Sequence, residues 1–230
     1  MSNIYTIFPT IIYVGEVKDH EKHKEEFYKV YPKFDYEVTK YDNTVSENTG
    51  KVLLHLEDSL NPLFEEIIYG HVKKYICDIL KYKDIFNYTI TKSWLSRARN
   101  SNNCIPWHIH SPSHLSFTYY LNMPPNAHKL KLAAPYSQFL PFLGSAVENQ
   151  LEERTMIQEF NELNSTTFDM IPPEGSIVLF PSRIQHTTES VVKDFTGERL
   201  AIVGDIILTL KEDHLNFSMG FIAPKYWKQY

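Results

Sequence analysis

Three histidines are the residues of this chain whose type and spacing best fit a metal site. His108 and His110 stand two residues apart in the run Pro106-Trp-His-Ile-His-Ser111, and His186 occupies a similar setting much later. Residues two apart on a strand project to the same face, so the pair could supply two imidazoles to one ion. A third histidine would complete a site that keeps positions open for substrate and dioxygen.

The competing interpretation is that these histidines are unrelated residues on surface loops, which carry function only in some proteins. His114, four residues after His110, and His128 are nearby rivals for the ligand set. We expect His114 to be a supporting or structural residue.

An arginine at the start of an apolar strand is the second candidate functional residue. Arg199 opens the segment 199–210. A guanidinium that enters a core needs an anionic partner, because burying an unpaired charge is very unfavourable. Its planar fork binds a carboxylate through two parallel hydrogen bonds. The alternative is a rim arginine in a weak ion pair with Glu198 or Asp205.

Polar residues alternate along the segment 115–122, which reads as a strand. Its two predicted faces are a polar one and an apolar one: Ser116, Thr118 and Tyr120 against Phe117, Tyr119 and Leu121. A polar inward face beside metal ligands indicates a lined cavity. The alternative is that this face points to water.

The elements that must position these residues fall into a helical part and a β-rich part. The sequence predicts a strand over 4–17, a helix over 19–31, an irregular segment over 32–50 and a helix over 60–82 whose apolar residues recur near 3.6-residue spacing. Short strands follow at 88–97, 115–122, 176–180, 187–192 and 199–210, separated by turn signals. Segment 129–170 is long for a loop, with a helix-like piece near 148–161, and is typical of a lid or accessory insertion.

Length, charge and cysteine content limit the class of protein to which this chain can belong. The 230 residues suffice for one domain, 1–230, divided into N-terminal support (1–87), a core (88–210) and a tail (211–230). A net charge of −5 without a basic tract argues against nucleic acid binding. Two cysteines suggest a reducing compartment. With neither a spanning apolar stretch nor a signal-like N-terminus, we expect a soluble, cytoplasmic protein with no membrane partner.

The order of these parts resembles that of the 2-oxoglutarate- and Fe(II)-dependent oxygenases. The motifs that carry the resemblance are His108-x-His110, Ser116-Phe-Thr-Tyr-Tyr-Leu-Asn122, Gly175-Ser-Ile-Val-Leu-Phe-Pro181, His186 and Arg199-Leu-Ala-Ile-Val203. Two of the strands are similar to those of the prolyl hydroxylase branch. The His-x-His variant, with Ile7-Phe-Pro-Thr-Ile-Ile12 and Trp94, resembles a group of oxygenases common in bacteria and marine phages.

The resemblance implies a mainly β fold, a double-stranded β-helix or jelly roll with supporting α-helices on one sheet. It places His108 and His186 on Fe(II), with His110 at the position of the second ligand. It makes Arg199 and Tyr120 the partners of the distal carboxylate of 2-oxoglutarate, in a pocket lined by Thr118 and Ser116. The family's usual second ligand is Asp or Glu, so a neutral His110 would leave the site with more net positive charge.

The predicted function is a non-haem Fe(II)- and 2-oxoglutarate-dependent oxygenase. It would use dioxygen to hydroxylate a small-molecule or peptide substrate, with succinate and CO2 as co-products. One alternative is a three-histidine cupin-type dioxygenase without 2-oxoglutarate, against which Arg199 and Tyr120 argue. Another is a non-catalytic jelly-roll binding module. Trp107, Arg97, Arg99 and the 129–170 insertion lie where they could shape substrate entry, but fold analogy does not name the substrate.

Overall fold

The computed structural model describes residues 9–33, 36–41, 44–49, 53–135, 165–215 and 220–229. The strands are β1 Tyr13–Glu16, β2 Tyr36–Tyr41, β3 Thr44–Thr49, β4 Phe86–Asn100, β5 Leu115–Asn122, β6 Lys129–Ala133, β7 Thr167–Met170, β8 Ser176–Pro181, β9 His186–Glu189, β10 Thr196–Leu210 and β11 Phe221–Ile222. Helix α1 spans His20–Val30. Helix α2 begins as Asn61–Glu65 and continues with wider π-type turns over Glu66–Val72 and Lys74–Ile79. Short 3-10 turns lie at Tyr31–Lys33, Leu54–Leu56, Asp58–Leu60, Glu212–His214 and Pro224–Tyr226.

Two sheets form the core. The larger has the order β1-β8-β5-β10-β4-β3-β2, with β11 beside β10, and the smaller has the order β7-β6-β9. All neighbours are antiparallel except β11, which runs parallel to β10. Side chains from both sheets meet in an inner cluster of Tyr120, Leu130, Leu132, Val178, Phe180, Ile184 and Ala201. The predicted jelly roll is confirmed.

The helices cover the outer face of the larger sheet. Helix α1 contributes Phe27, and α2 contributes residues such as Ile67 and Val72, to a cluster that includes Phe117 and Ile202 of the sheet. The alternation of the strands therefore directs one face of β5, β8 and β10 toward the helices and the other toward the smaller sheet. No helix in the described ranges is both long and apolar enough to cross a membrane.

Helix α2 buries residues at intervals of four. Its buried positions are Leu63, Phe64, Ile67, Ile68, His71, Val72, Tyr75 and Ile76. An α-helix has 3.6 residues per turn, so a strict interval of four would drift around its surface. The wider π-type turns keep this stripe on the sheet. Ile79 continues the apolar repeat predicted over 60–82, but it is 43% exposed because the helix ends there, and Leu80 packs on the core instead.

Several predicted boundaries were wrong. Segment 32–50, expected to be irregular, contains β2 and β3, which pair with each other and extend the larger sheet at β4. The strand expected over 187–192 is His186–Glu189, so His186 begins the strand instead of preceding it. Within 9–17, of the strand expected over 4–17, only Tyr13–Glu16 is extended and paired.

The predicted insertion also needs correction at both ends. Segment 129–170 begins with β6 and ends with β7, which pair with each other in the smaller sheet. These strands complete the jelly roll, so the part that could act as an accessory insertion is shorter than expected. The helix-like piece near 148–161 lies outside the described residues.

Gly204 provides a test of the packing between β10 and the helices. A Cβ atom at Gly204 would lie 2.4 Å from Cε1 of the fully buried Phe117, which in turn packs edge-on against Phe64 of α2. We expect Gly204→Ala to lower the free energy of unfolding by roughly 1–3 kcal/mol, because a well-packed core must shift. Urea denaturation measures this change.

The matched control is Gly70→Ala on the exposed side of α2. The nearest atom to a Cβ there is Cγ of Glu66 at 3.4 Å, so the methyl group fits. This variant should be neutral or stabilised by up to about 1 kcal/mol, because alanine loses less backbone entropy than glycine in a helix. Equal unfolding free energies for both variants would contradict the described packing.

Candidate functional site

The backbone brings the three histidines to one point. His108 and His186 form an isolated antiparallel bridge in which each N–H donates to the other's carbonyl at 3.0 Å. The N–H of His110 donates to the carbonyl of Ser182 at 2.9 Å, which continues this pairing. Directly opposite residues of an antiparallel pair, and residues two apart on one strand, share a face. His108, His110 and His186 therefore project into the same space.

The three imidazoles converge through their Nε2 atoms. The Nε2 of His110 lies 3.1 Å from that of His108 and 3.1 Å from that of His186. Metal–histidine bonds of about 2.1 Å place ligand nitrogens about 3.0 Å apart at 90° and about 3.4 Å apart at a tetrahedral angle. The two observed separations, both 3.1 Å, lie within the range that binding of one ion by these nitrogens would require.

Backbone carbonyls set the tautomer of two of the histidines. The Nδ1 atom of His108 lies 2.8 Å from the carbonyl of Pro106, and Nδ1 of His186 lies 2.9 Å from that of Ile184. A carbonyl can only accept, so Nδ1 carries the proton and Nε2 presents a lone pair to the shared space. Burial lowers the pKa of His108 and lowers that of His186 to about 3, so both rings are neutral.

The third histidine has a charged partner. Nδ1 of His110 donates to Oδ1 of Asp205 at 2.7 Å, and Asp205 is fully buried. Burial alone would raise the pKa of Asp205, but the hydrogen bonds of His110, Lys92 and Ser116 hold it below its ordinary value. The carboxylate is therefore ionised. Trp94 stacks on the His110 ring at 5.4 Å between centroids.

Sequence reasoning missed Asp205 as a partner of His110. The available signal was a charged residue inside the apolar run 200–210, since a buried carboxylate must be paired. Trp94 was noted in the sequence, but its stacking on His110 had no local signal because it arises from the pairing of β4 with β10.

A second polar cluster lies farther along the same inner face. Arg199 is 2% exposed, and its guanidinium carbon lies 5.2 Å from the centre of the Tyr120 ring. Nε of Arg199 and the hydroxyl of Tyr120 are buried without a hydrogen-bond partner in the described part of the chain. Burial raises the pKa of Tyr120, so its hydroxyl keeps the proton that it would donate. Buried polar atoms without partners are the expected mark of a ligand position.

Neither carboxylate proposed as a partner of Arg199 is available to it. Glu198 accepts a hydrogen bond from the hydroxyl of Tyr31 at 2.8 Å, and Asp205 is held by His110. His128, which the sequence offered only as a rival metal ligand, is a third polar residue near the guanidinium. It is fully buried, and burial followed by the charge of Arg199 lowers its pKa to about 4.

Register places the remaining candidate residues between the two clusters. Ser116 pairs with Asp205, Thr118 with Val203 and Tyr120 with Ala201. The Ser116 hydroxyl donates to Oδ1 of Asp205 at 2.7 Å, so it lies at the histidine end. Thr118 is buried midway between the two clusters. His114 lies outside the site, where its Nδ1 accepts from the N–H of Leu208 at 2.9 Å.

Comparison with protein families gives one match. Residues 92–205 match the family described as "Putative 2OG-Fe(II) oxygenase", a span that includes the three histidines, Tyr120 and Arg199. No curated protein sequence matches the chain.

Solved structures share the fold. A prolyl-4-hydroxylase of Pseudomonas putida aligns with a TM-score of 0.53 and 10% identity over 86% of this chain and 92% of that one. A Trichoplax adhaerens prolyl hydroxylase in complex with a hypoxia-inducible-factor peptide aligns with a TM-score of 0.53 and 13% identity, over 85% of this chain and 83% of that one. HygX of Streptomyces hygroscopicus with nickel, 2-oxoglutarate and hygromycin B bound aligns with a TM-score of 0.51 and 11% identity, over 86% of this chain and 82% of that one.

The two buried histidines with strongly lowered pKa values predict how the stability of the metal-free protein depends on pH. His186 and His128 protonate near pH 3 and 4 when folded, and near 6.5 when unfolded. Their contribution to stability is therefore complete above pH 6.5 and is lost as the pH falls toward 4. Each should lower the free energy of unfolding by about 1.4 kcal/mol per pH unit in this window.

Urea denaturation of the chelator-treated protein at pH 7.5, 6.0 and 5.0 measures this loss. His128→Gln removes one of the two groups. The free energy of unfolding of this variant should therefore fall less steeply with decreasing pH, by about 1.4 kcal/mol per pH unit. A stability that does not change between pH 6.5 and 5 would show that these rings are not buried in the neutral form.

Proposed function

Since the chain belongs to the 2-oxoglutarate- and Fe(II)-dependent oxygenases, we propose that it hydroxylates a small-molecule or peptide substrate at a three-histidine site. Enzymes of this superfamily depend on Fe(II) and 2-oxoglutarate and use dioxygen. The proposed ligands are His108, His110 and His186. The observation that carries this assignment is the convergence of their Nε2 atoms, which all lie within 4.8 Å of one another.

The donor set fits a ferrous ion. Each Nδ1 is hydrogen-bonded to an acceptor, so the three imidazoles can present Nε2 atoms to one ion. When bound, Fe(II) supplies dioxygen activation coupled to oxidative decarboxylation of 2-oxoglutarate, which yields succinate and CO2. His108, His110 and His186 would hold the ion from one side. Phe180, whose ring centre is 4.8 Å from that of His186, excludes water from one side.

The second cluster fits the distal carboxylate of 2-oxoglutarate. Nε of Arg199 and the hydroxyl of Tyr120, both buried without a hydrogen-bond partner in the described chain, provide a charged donor and a neutral donor. Ser116 and Tyr120 are four residues apart on β5, which is about 13 Å at 3.3 Å per residue. A five-carbon dicarboxylate together with the Arg199 side chain can bridge this distance. We propose that Thr118 lines the path and that His128 closes its far end.

The first test is turnover of the cosubstrate. The purified protein with added Fe(II), ascorbate and dioxygen should convert 2-oxoglutarate to succinate, slowly without a substrate and faster with the correct one. His186→Ala should abolish succinate formation, because two imidazoles hold the metal weakly. Nuclear magnetic resonance detects both compounds directly.

The control for this test is a Co(II) titration of both proteins. Tight metal binding by the wild type, without succinate formation in the presence of candidate substrates, would favour the non-catalytic module. Oxygen consumption that does not require 2-oxoglutarate would favour the cupin-type dioxygenase.

The second test concerns Arg199. Arg199→Leu should raise the Kd of 2-oxoglutarate for the metal-loaded protein by about 10- to 100-fold, because a charge-assisted hydrogen bond to the carboxylate is lost. Calorimetry with the Zn(II) form measures this change without turnover. Arg183→Leu is the matched control, since Arg183 is exposed. An unchanged Kd for Arg199→Leu would contradict the assignment of the cosubstrate pocket.

A further inference from the structure

We propose that Asp205 is a positioning residue that supplies, through His110, the negative charge that the family's usual carboxylate ligand gives to iron directly. This inference rests on the proposed function, in which His110 is a metal ligand. It assigns a role to a residue that does not reach the metal position itself.

The contact between the two residues is short and buried. Oδ1 of Asp205 accepts from Nδ1 of His110 at 2.7 Å and from Oγ of Ser116 at 2.7 Å. A carboxylate that accepts the Nδ1 proton polarises the ring and makes its Nε2 a stronger donor. Because the group is fully buried, water does not screen this effect.

Only one of the three proposed ligands has such a partner. His108 and His186 donate to the neutral carbonyls of Pro106 and Ile184, whereas His110 donates to a carboxylate. His110 is also the residue that stands where the family usually has Asp or Glu. The charged partner therefore lies behind the substituted position and not behind the other two.

Formal charges show what the arrangement achieves. Fe(II) with two neutral imidazoles and one carboxylate carries a charge of about +1, and with three neutral imidazoles it carries about +2. Counting the carboxylate of Asp205 as well gives about +1, before the partly exposed cation of Lys92 on its other oxygen is included. The charge is moved one ring farther from the metal.

Two neighbours keep this pair in place. Trp94 lies nearly parallel to the His110 ring, with 19° between the planes, so the ring cannot rotate freely about its Cβ–Cγ bond. Nζ of Lys92 lies 2.9 Å from Oδ2 of Asp205. Lys92 therefore offsets part of the carboxylate's charge, although 38% of the Lys92 side chain remains exposed to water.

The experiment compares Asp205→Asn with the wild type. Asparagine keeps the shape and can accept from Nδ1, but it carries no charge. We expect the Kd for Co(II) to rise about 10- to 100-fold. The Fe(III)/Fe(II) midpoint potential should rise as well, because a less electron-donating site favours the ferrous ion. Ser116→Ala removes a hydrogen bond to the same carboxylate without removing its charge, and should change the Kd by less than about threefold.

A second variant, with the opposite expected effect on metal affinity, tests the proposal even if Asp205→Asn does not fold. Lys92→Met removes a partly exposed cation from Oδ2 and should strengthen the carboxylate's effect. The proposal predicts tighter Co(II) binding and a lower midpoint potential for this variant. A merely structural role for the Asp205–Lys92 pair predicts weaker or unchanged binding.

The double variant decides whether Asp205 acts through His110. With His110→Asp in place, two carboxylates face each other, so adding Asp205→Asn should leave the Kd for Co(II) unchanged or lower it. Equal losses of affinity in both backgrounds would overturn the proposal. Unchanged Kd and potential in Asp205→Asn would overturn it too, while the proposed function stands. A wild-type protein that binds no metal would overturn both.

Discussion

The buried carboxylate of Asp205 is the constraint on which the histidine cluster depends. An ionised group inside a 15-residue strand is tolerated only where other segments bring it partners. The ladders of β10 do this by register, since Asp205 lies opposite Ser116 of β5 and opposite Lys92 of β4. A slip of one residue in either ladder would turn Asp205 toward the apolar helices. The charge therefore favours the register in which Asp205 faces His110.

Strand β10 joins the site to the rest of the core. Its inward residues include Arg199 at one end and Asp205 six positions later, while Leu200 and Ile202 face the helices in the outer cluster. A single extended element thus sets the distance between the two polar clusters and packs on α2 at the same time.

The sequence could predict what depends on local periodicity. His108 and His110 share a face because strands repeat every two residues, and the alternation of Ser116, Thr118 and Tyr120 marks the inner face of β5. The jelly roll and the position of Arg199 came from the order of motifs. These features depend on neighbours in sequence or on a shared arrangement of strands.

What depends on tertiary register could not be predicted in this way. The sequence offered Asp205 as a partner for Arg199, but six residues of strand separate their backbones by about 20 Å. His128 carries no local signal, because its surroundings come from distant segments, including the ring of Phe195 at 5.3 Å. The hairpin of β2 and β3 was missed because its polar composition obscures the alternation on which strand prediction relies.

The two ends of the polar inner face differ in the charge that they favour. At the histidine end, three lone pairs converge in front of a buried anion, so a cation is favoured there. At the other end, Arg199 is a buried cation without a carboxylate partner in the described chain, so an anion is favoured. A 2-oxo dicarboxylate satisfies both requirements at once, because one end chelates a metal and the other carries a free carboxylate.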